Sequence, residues 1–389
     1  MKSCFAVIAI LLSANASAAD DSARQTSLED LGRALFFDVN LSHDRTQSCA
    51  TCHDPARAFT DWRDSGVAAA ASMGNDLHTL GDRNAPTISY AASIPRFGRN
   101  AENDFVGGLF WDGRADTLEV QAGGPPLNPA EMGMKDEAAV VERLKENTNY
   151  RYAFQSLFGA TIFHDPKAAY SAMLQSIAAL ERTGFFSPWD SKYDRYLRGE
   201  YKPTEQETLG MTLFFSNQFT NCNKCHQLQQ FPEAQNETFS NYTYQNIGVP
   251  VNKALREKNG KGVDYIDHGF MDHIAEPVQD GKFRVPTLRN VAITAPYMHN
   301  GVFKDLRTVM QFYNKYLAKG SKAQINPETN EQWGPPEVAA NIASEKLEAG
   351  RALDARSMDA LVAFLKMLTD KRYEPLLELP TADSSTGSP

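Results

Sequence analysis

Apolar residues fall into the same register at two distant places in the chain. Residues 31–37 read Leu-Gly-Arg-Ala-Leu-Phe-Phe and residues 209–215 read Leu-Gly-Met-Thr-Leu-Phe-Phe. Leucines four apart followed by paired phenylalanines place apolar side chains on one face of a helix. Both runs follow a helix-start signal, a hydroxyl residue with an acid three positions later: Ser27 with Asp30, and Thr204 with Glu207. Periodicity predicts further helices over 137–147, over 167–182 with Leu174, Ile177 and Leu180 on one stripe, over 306–317 and over 357–368. No stretch of any length alternates apolar and polar residues as a half-buried strand does. Segments 76–100 and 236–280 are rich in Gly, Pro and Asn and are expected to be long loops. The expected fold is mostly α: two related helix-and-loop units, with the linker near 193–203.

The two ends of the chain read differently from the middle. Lys2, a short apolar run and Ala16-Ser17-Ala18 form a secretory signal peptide over 1–18, with cleavage after Ala18. That run is too short to span a bilayer, and no later segment is long and apolar enough. Cys4 stands at the start of the run rather than after it, which speaks against lipidation. Removal of the signal leaves roughly 370 residues, enough for two domains with their own cores. The expected division is 19–200 and 201–380, followed by a small polar tail over 381–389 that is expected to be disordered. A net charge of −9 argues against nucleic-acid binding. The protein is therefore expected to be exported, to the periplasm, with neither membrane nor nucleic acid as a partner.

The cysteines change the picture most. Of the five, Cys4 leaves with the signal; the rest form Cys49-Ala50-Thr51-Cys52-His53 and Cys222-Asn223-Lys224-Cys225-His226. Each closes one of the two repeated units. C-x-x-C-H is the attachment sequence of c-type haem: two thiols add across the vinyl groups and the next imidazole becomes the proximal iron ligand. The competing readings are a thiol redox pair or half a zinc site. Two copies in an exported chain with no other mature cysteine favour two covalent haems, bound at Cys49, Cys52 and His53 and at Cys222, Cys225 and His226. Helix, loop and attachment turn in that order is the layout of a small cytochrome c fold.

Four longer motifs extend this reading. Residues 83–87 read RNAPT, 110–133 read FWDGRADTLEVQAGGPPLNPAEMG, 284–301 read RVPTLRNVAITAPYMHNG and 306–313 read LRTVMQFY. Together with the two haem motifs they resemble the bacterial dihaem cytochrome c peroxidase family over nearly the whole mature chain. Within it, the chain is most similar to the members that complete the tryptophan tryptophylquinone of methylamine dehydrogenase. The resemblance implies a peroxidatic haem at His53, with Glu131 as distal acid and Gln121 and Pro125 in the same distal loop. It implies Trp111 between the haems and a calcium ion held by Asn84 and the carbonyls of Thr294 and Pro296. It places Tyr313 as sixth ligand of the His226 haem, where other members carry methionine; Met310 and Tyr316 lie one turn to either side. A phenolate is harder than a thioether and favours the higher oxidation states of iron. Two oxidising equivalents could then be divided between the irons as a bis-Fe(IV) state.

Each of these residues also has a plainer reading. Glu131 could be a helix-end carboxylate, Gln121 and Pro125 simple loop residues, and Trp111 and Tyr313 core aromatics. His78 stands in the loop where some members keep a removable histidine ligand, but its spacing to Asn84 is short, and it reads as a surface histidine. The partners implied are hydrogen peroxide, or oxygen plus electrons, and a precursor of methylamine dehydrogenase. A conventional peroxidase fed by a small redox protein is one alternative. A non-catalytic dihaem electron carrier, with both irons capped by two strong ligands, is another.

Overall fold

The computed structural model describes residues 27–378. The expected signal peptide and tail lie outside them. The described chain is helix-rich, and its strands are three antiparallel pairs of two residues each. Both repeated runs are helices, Leu28–Phe36 and Glu205–Phe214, and each starts on the reciprocal cap read from its sequence. Ser27 accepts from the Asp30 amide and Thr204 from the Glu207 amide, which satisfies amides that a helix start otherwise leaves unpaired.

Each of these helices packs on one distant partner. Leu28–Phe36 lies against Pro166–Glu181, and Glu205–Phe214 against Ala355–Met367. The repeated glycine explains how closely. A Cβ on Gly32 would lie 2.0 Å from the Ser176 carbonyl oxygen, and one on Gly210 would lie 1.9 Å from that of Ala360. Only a residue without a side chain permits that approach. The first phenylalanine of each pair is buried, whereas Phe37 is exposed and Phe215 half-buried: Phe36 meets Phe186 edge-on, and Phe214 packs with Phe239 and Phe364. Burying one such ring contributes roughly 1.5–3 kcal/mol.

The apolar core has separate centres. Leu31, Leu35, Val140, Val141, Leu144, Phe154 and Met173 form one, and Phe36, Phe59, Ala178 and Phe186 form its neighbour. Phe214, Phe239, Phe312, Leu361 and Phe364 belong to another. The expected linker is only partly open. Lys192–Leu197 is a helix capped by Ser191, and Tyr193 is fully buried beside Phe239 and Phe364. Asp194 is tied there by a bidentate ion pair to the buried Arg289, so this stretch belongs to the later core. A helix over Thr148–Phe158 follows directly on Glu137–Glu146, because Asn147 ends one helix and caps the next. The long loop 236–280 contains two short helices, Lys253–Lys258 and Met271–Ile274.

Residues after the last long helix turn back to the early part of the chain. The Tyr373 hydroxyl donates to the Pro55 carbonyl at 2.8 Å, and Arg372 donates to that of Phe185 at 2.7 Å. Among the described residues no helix is long and apolar enough to cross a membrane.

Candidate active site and haem centres

The first C-x-x-C-H forms a single helical turn, Cys49–Cys52, ending at His53. The His53 ring nitrogen Nδ1 lies 3.1 Å from the Phe59 carbonyl oxygen. Phe59 is buried and left-handed (φ 57°), a conformation that costs energy in a bulky residue and is held here by the packed loop. The second site repeats the device: His226 Nδ1 lies 3.1 Å from the carbonyl oxygen of Phe239, also buried and left-handed (φ 55°). In both rings, tying Nδ1 to a carbonyl leaves Nε2 as the nitrogen available to iron. Burial lowers the pKa of both imidazoles, that of His226 to about 4, so both are neutral and competent as ligands.

The cavity at His53 has a volume of about 50 Å³. Cys49, Cys52 and His53 line it together with Gln121, Pro125 and Glu131, so the three residues expected on the distal side stand around the same cavity as the haem motif. Burial raises the Glu131 pKa, against a 2.7 Å hydrogen bond from the Asn128 amide and the charge of Arg114. His78 does not line this cavity; it is exposed on a turn whose amides are held by Asp76.

The cavity at His226 is larger, about 230 Å³. Cys222, Cys225, Trp111, Met310 and Tyr313 all line it. Tyr316 does not, and its hydroxyl donates to the Ile247 carbonyl at 2.9 Å. The Tyr313 hydroxyl has no hydrogen-bond partner among the described residues, and burial beside Cys225 and Cys222 pushes its pKa well up. Trp111 donates its indole N–H to the Asn84 carbonyl at 2.8 Å. The Asn84 amide in turn donates to the His299 carbonyl at 2.7 Å, which brings Asn84 to the loop carrying Thr294 and Pro296.

Burial pushes the thiols of Cys49 and Cys52 up to about 12 and that of Cys222 to about 11, and no disulfide joins the four. Among the described residues no three His, Cys, Asp or Glu side chains form a metal cluster.

A family model described as di-haem cytochrome c peroxidase matches residues 26–202. The methylamine utilization protein MauG of Paracoccus denitrificans is 52% identical over 377 residues, 96% of this chain and 97% of that one. The chain belongs to the di-haem cytochrome c peroxidase family. The cytochrome c551 peroxidase of Nitrosomonas europaea is 30% identical over 92% of this chain and 85% of that one. Among solved structures, the diheme peroxidase BthA of Burkholderia thailandensis superposes with a TM-score of 0.81 at 32% identity, covering 91% of this chain and 88% of that one.

As a member of this di-haem family the protein is an oxidoreductase carrying two c-type haems, and membership sets aside the plain electron carrier. Its own residues fit the group: two cavities, each with paired thiols and one neutral, oriented imidazole. Three features escaped sequence reasoning. The carbonyls of Phe59 and Phe239 act through backbone, which leaves no residue-type signal. Asn128, three positions before Glu131, could have been suspected from spacing alone. Glu181, wholly buried in the first cavity with its pKa raised to about 8 by burial, had no motif to mark it.

Proposed function

We propose that this protein is an exported dihaem oxidoreductase that uses hydrogen peroxide, or oxygen plus electrons, to oxidise a precursor of methylamine dehydrogenase and complete its tryptophan tryptophylquinone. The observation that carries this reading is 52% identity, over 96% of the chain, to a methylamine utilization protein. Tyr313 in the wall of the second cavity supports it, because a hard anionic ligand suits an enzyme that must store oxidising power. The second reading, a conventional peroxidase fed by a small redox protein, is favoured by the 30% identity to a cytochrome c551 peroxidase. It would require Met310, which lines the same cavity, to be the ligand.

The division of labour follows from the residues. Bound haem supplies iron that accepts oxidising equivalents from peroxide. Glu131 takes the proton from one peroxide oxygen and returns it to the other, so that water leaves. Asn128 holds the carboxylate in place through its amide, and Gln121 and Pro125 bound the space in which peroxide turns. His53 and His226, aligned by the Phe59 and Phe239 carbonyls, fix each haem from its proximal side. Trp111 carries electrons between the sites.

We read two cytochrome c-like domains, 19–200 peroxidatic and 201–380 low-spin, with the Lys192–Leu197 helix of the first packed on the core of the second. A calcium ion near Asn84, with the carbonyls of Thr294 and Pro296, would rest on neutral oxygens and water, a donor set calcium accepts. The expected signal peptide sends the chain to the periplasm. A protein substrate cannot enter either cavity, so it is oxidised at a distance. The test is direct: holoprotein, hydrogen peroxide and purified precursor are mixed, and the quinone absorption of mature methylamine dehydrogenase is followed. Its appearance supports the first reading. Its absence, with rapid turnover of a reduced small cytochrome, establishes the second.

A further inference from the structure

A line of rings, carbonyl hydrogen bonds and one guanidinium links the two histidines without passing through Trp111. His53 rests on the Phe59 carbonyl, and the Phe59 ring stacks on Phe186 at 4.3 Å. The Phe186 carbonyl accepts the Tyr90 amide at 3.1 Å. Tyr90 meets Trp189 edge-on at 4.6 Å. The Arg289 guanidinium lies over Tyr90, Trp189 and Phe239, at 5.2, 4.7 and 5.4 Å from their ring centres. Phe239 then presents its carbonyl to His226.

Most of this line is inert. Phenylalanine is too hard to oxidise to act as more than packed medium, whereas tyrosine and tryptophan can each give up an electron. Trp189 would become a radical cation, which the adjacent Arg289 charge disfavours. Tyr90 is better placed. Its hydroxyl donates to the Asp370 carboxylate, so the proton that an oxidised phenol must shed has a destination already in contact. Asp370 is fully buried and pinned by Asn290, which donates to its other oxygen at 2.8 Å and accepts from its amide at 2.8 Å. Burial raises the Asp370 pKa against the hydrogen bonds of Tyr90 and Asn290, so this carboxylate holds a proton more readily than an exposed one. Arg289 also forms a bidentate ion pair with Asp194, which offsets part of its charge.

We propose that Tyr90, with Asp370 as its proton acceptor and Trp189 edge-on beside it, is a redox-active stepping stone on a second, proximal electron route between the two haem sites. The step balances. With hydrogen peroxide as oxidant at the His53 site, Tyr90 gives one electron toward that site, its O–H bond breaks and the proton passes to Asp370. The neutral tyrosyl radical then takes one electron from the His226 side and the proton back from Asp370. One electron crosses, and no proton is consumed. The proposal rests on the peroxide reaction at His53 given above.

The experiment uses full-length holoprotein with peroxide and no protein substrate, freeze-quenched and examined by electron paramagnetic resonance. Protein with ordinary tyrosine is compared with protein carrying ring-deuterated tyrosine. The expected result is an organic radical whose hyperfine structure collapses on deuteration, is lost in Tyr90→Phe and is lost in Asp370→Asn. A purely structural Tyr90–Asp370 clasp would produce no such signal. The labelled native protein provides the test even if either variant fails to fold. Absence of any deuteration-sensitive radical there, while peroxide changes the haem spectrum, overturns the relay alone. The same signal persisting in Tyr90→Phe also overturns it. A haem spectrum that peroxide leaves unchanged overturns the peroxide reaction and the relay together.

Discussion

Glu131 shows how a common side chain becomes a specialised one. Buried in the first cavity, its carboxyl holds a proton to higher pH than an exposed glutamate, and the base form grows in as pH rises through that raised pKa. Reaction with peroxide should therefore slow as pH falls through it. Glu131→Gln should slow that reaction by roughly 10²–10⁴-fold and remove the acid limb of the profile, while both haems stay attached. Stopped-flow mixing with peroxide across pH measures both effects. Tyr313→Phe keeps the ring but removes the oxygen, so the low-spin resonance of the His226 haem should change and maturation of the precursor should stop. An unchanged low-spin resonance would return Tyr313 to the role of packing and make Met310 the ligand. Residues such as Cys49, Cys52 and His53 can be read from sequence because two attaching thiols and one ligating imidazole fall within five positions. The Phe59 and Phe239 carbonyls cannot, because any residue has a carbonyl and only the folded loop aims it. Glu181 was illegible for a related reason: nothing in its sequence neighbourhood says that the Pro166–Glu181 helix ends inside the haem cavity.

Helices were the most readable elements, because their period and their caps are local. Leu28–Phe36, Glu205–Phe214 and Leu306–Leu317 stand where apolar spacing and start signals put them. Thr148–Phe158 was missed because Asn147, a turn-former by type, reads as an end and is also a beginning. The two-residue strands carry no periodic signal at all. The repeated glycine was visible, but its purpose became clear only with the partner helix in place. Gly32→Ala and Gly210→Ala each force a methyl group toward a carbonyl oxygen, and helix pairs cannot close around it. Each should cost at least about 1–3 kcal/mol, the usual scale of overpacking, read as a lower denaturation midpoint in urea. Gly32→Ala should perturb the His53 haem spectrum first, and Gly210→Ala that of the His226 haem. Equal and negligible shifts from both would show that the helices slide apart without cost.

Across the whole molecule the halves are held by buried charge that no local pattern announces. Arg83 bridges Asp112 at 2.6 Å and Asp267 at 2.7 Å, partners 29 and 184 residues away. Burial works against the ionised Asp267, but the hydrogen bonds and charge of Arg83 outweigh it and hold its pKa well below the usual carboxylate range. Its contribution is therefore complete above the unfolded-state pKa and is lost as pH falls through the lower folded one. Arg83→Ala leaves the buried Asp267 without its ion pair, while Asp112 keeps Arg114, and should cost about 3–5 kcal/mol at neutral pH, with a smaller penalty in acid, measured by urea unfolding at each pH. Such pairs were unreadable because each partner alone is an ordinary charged residue in a loop. The returning segment has a consequence for how the molecule comes into being. Arg372 and Tyr373 fasten the loop that aims His53, yet they follow it in the chain by more than 300 residues. That loop is therefore locked only when nearly all of this chain has been made.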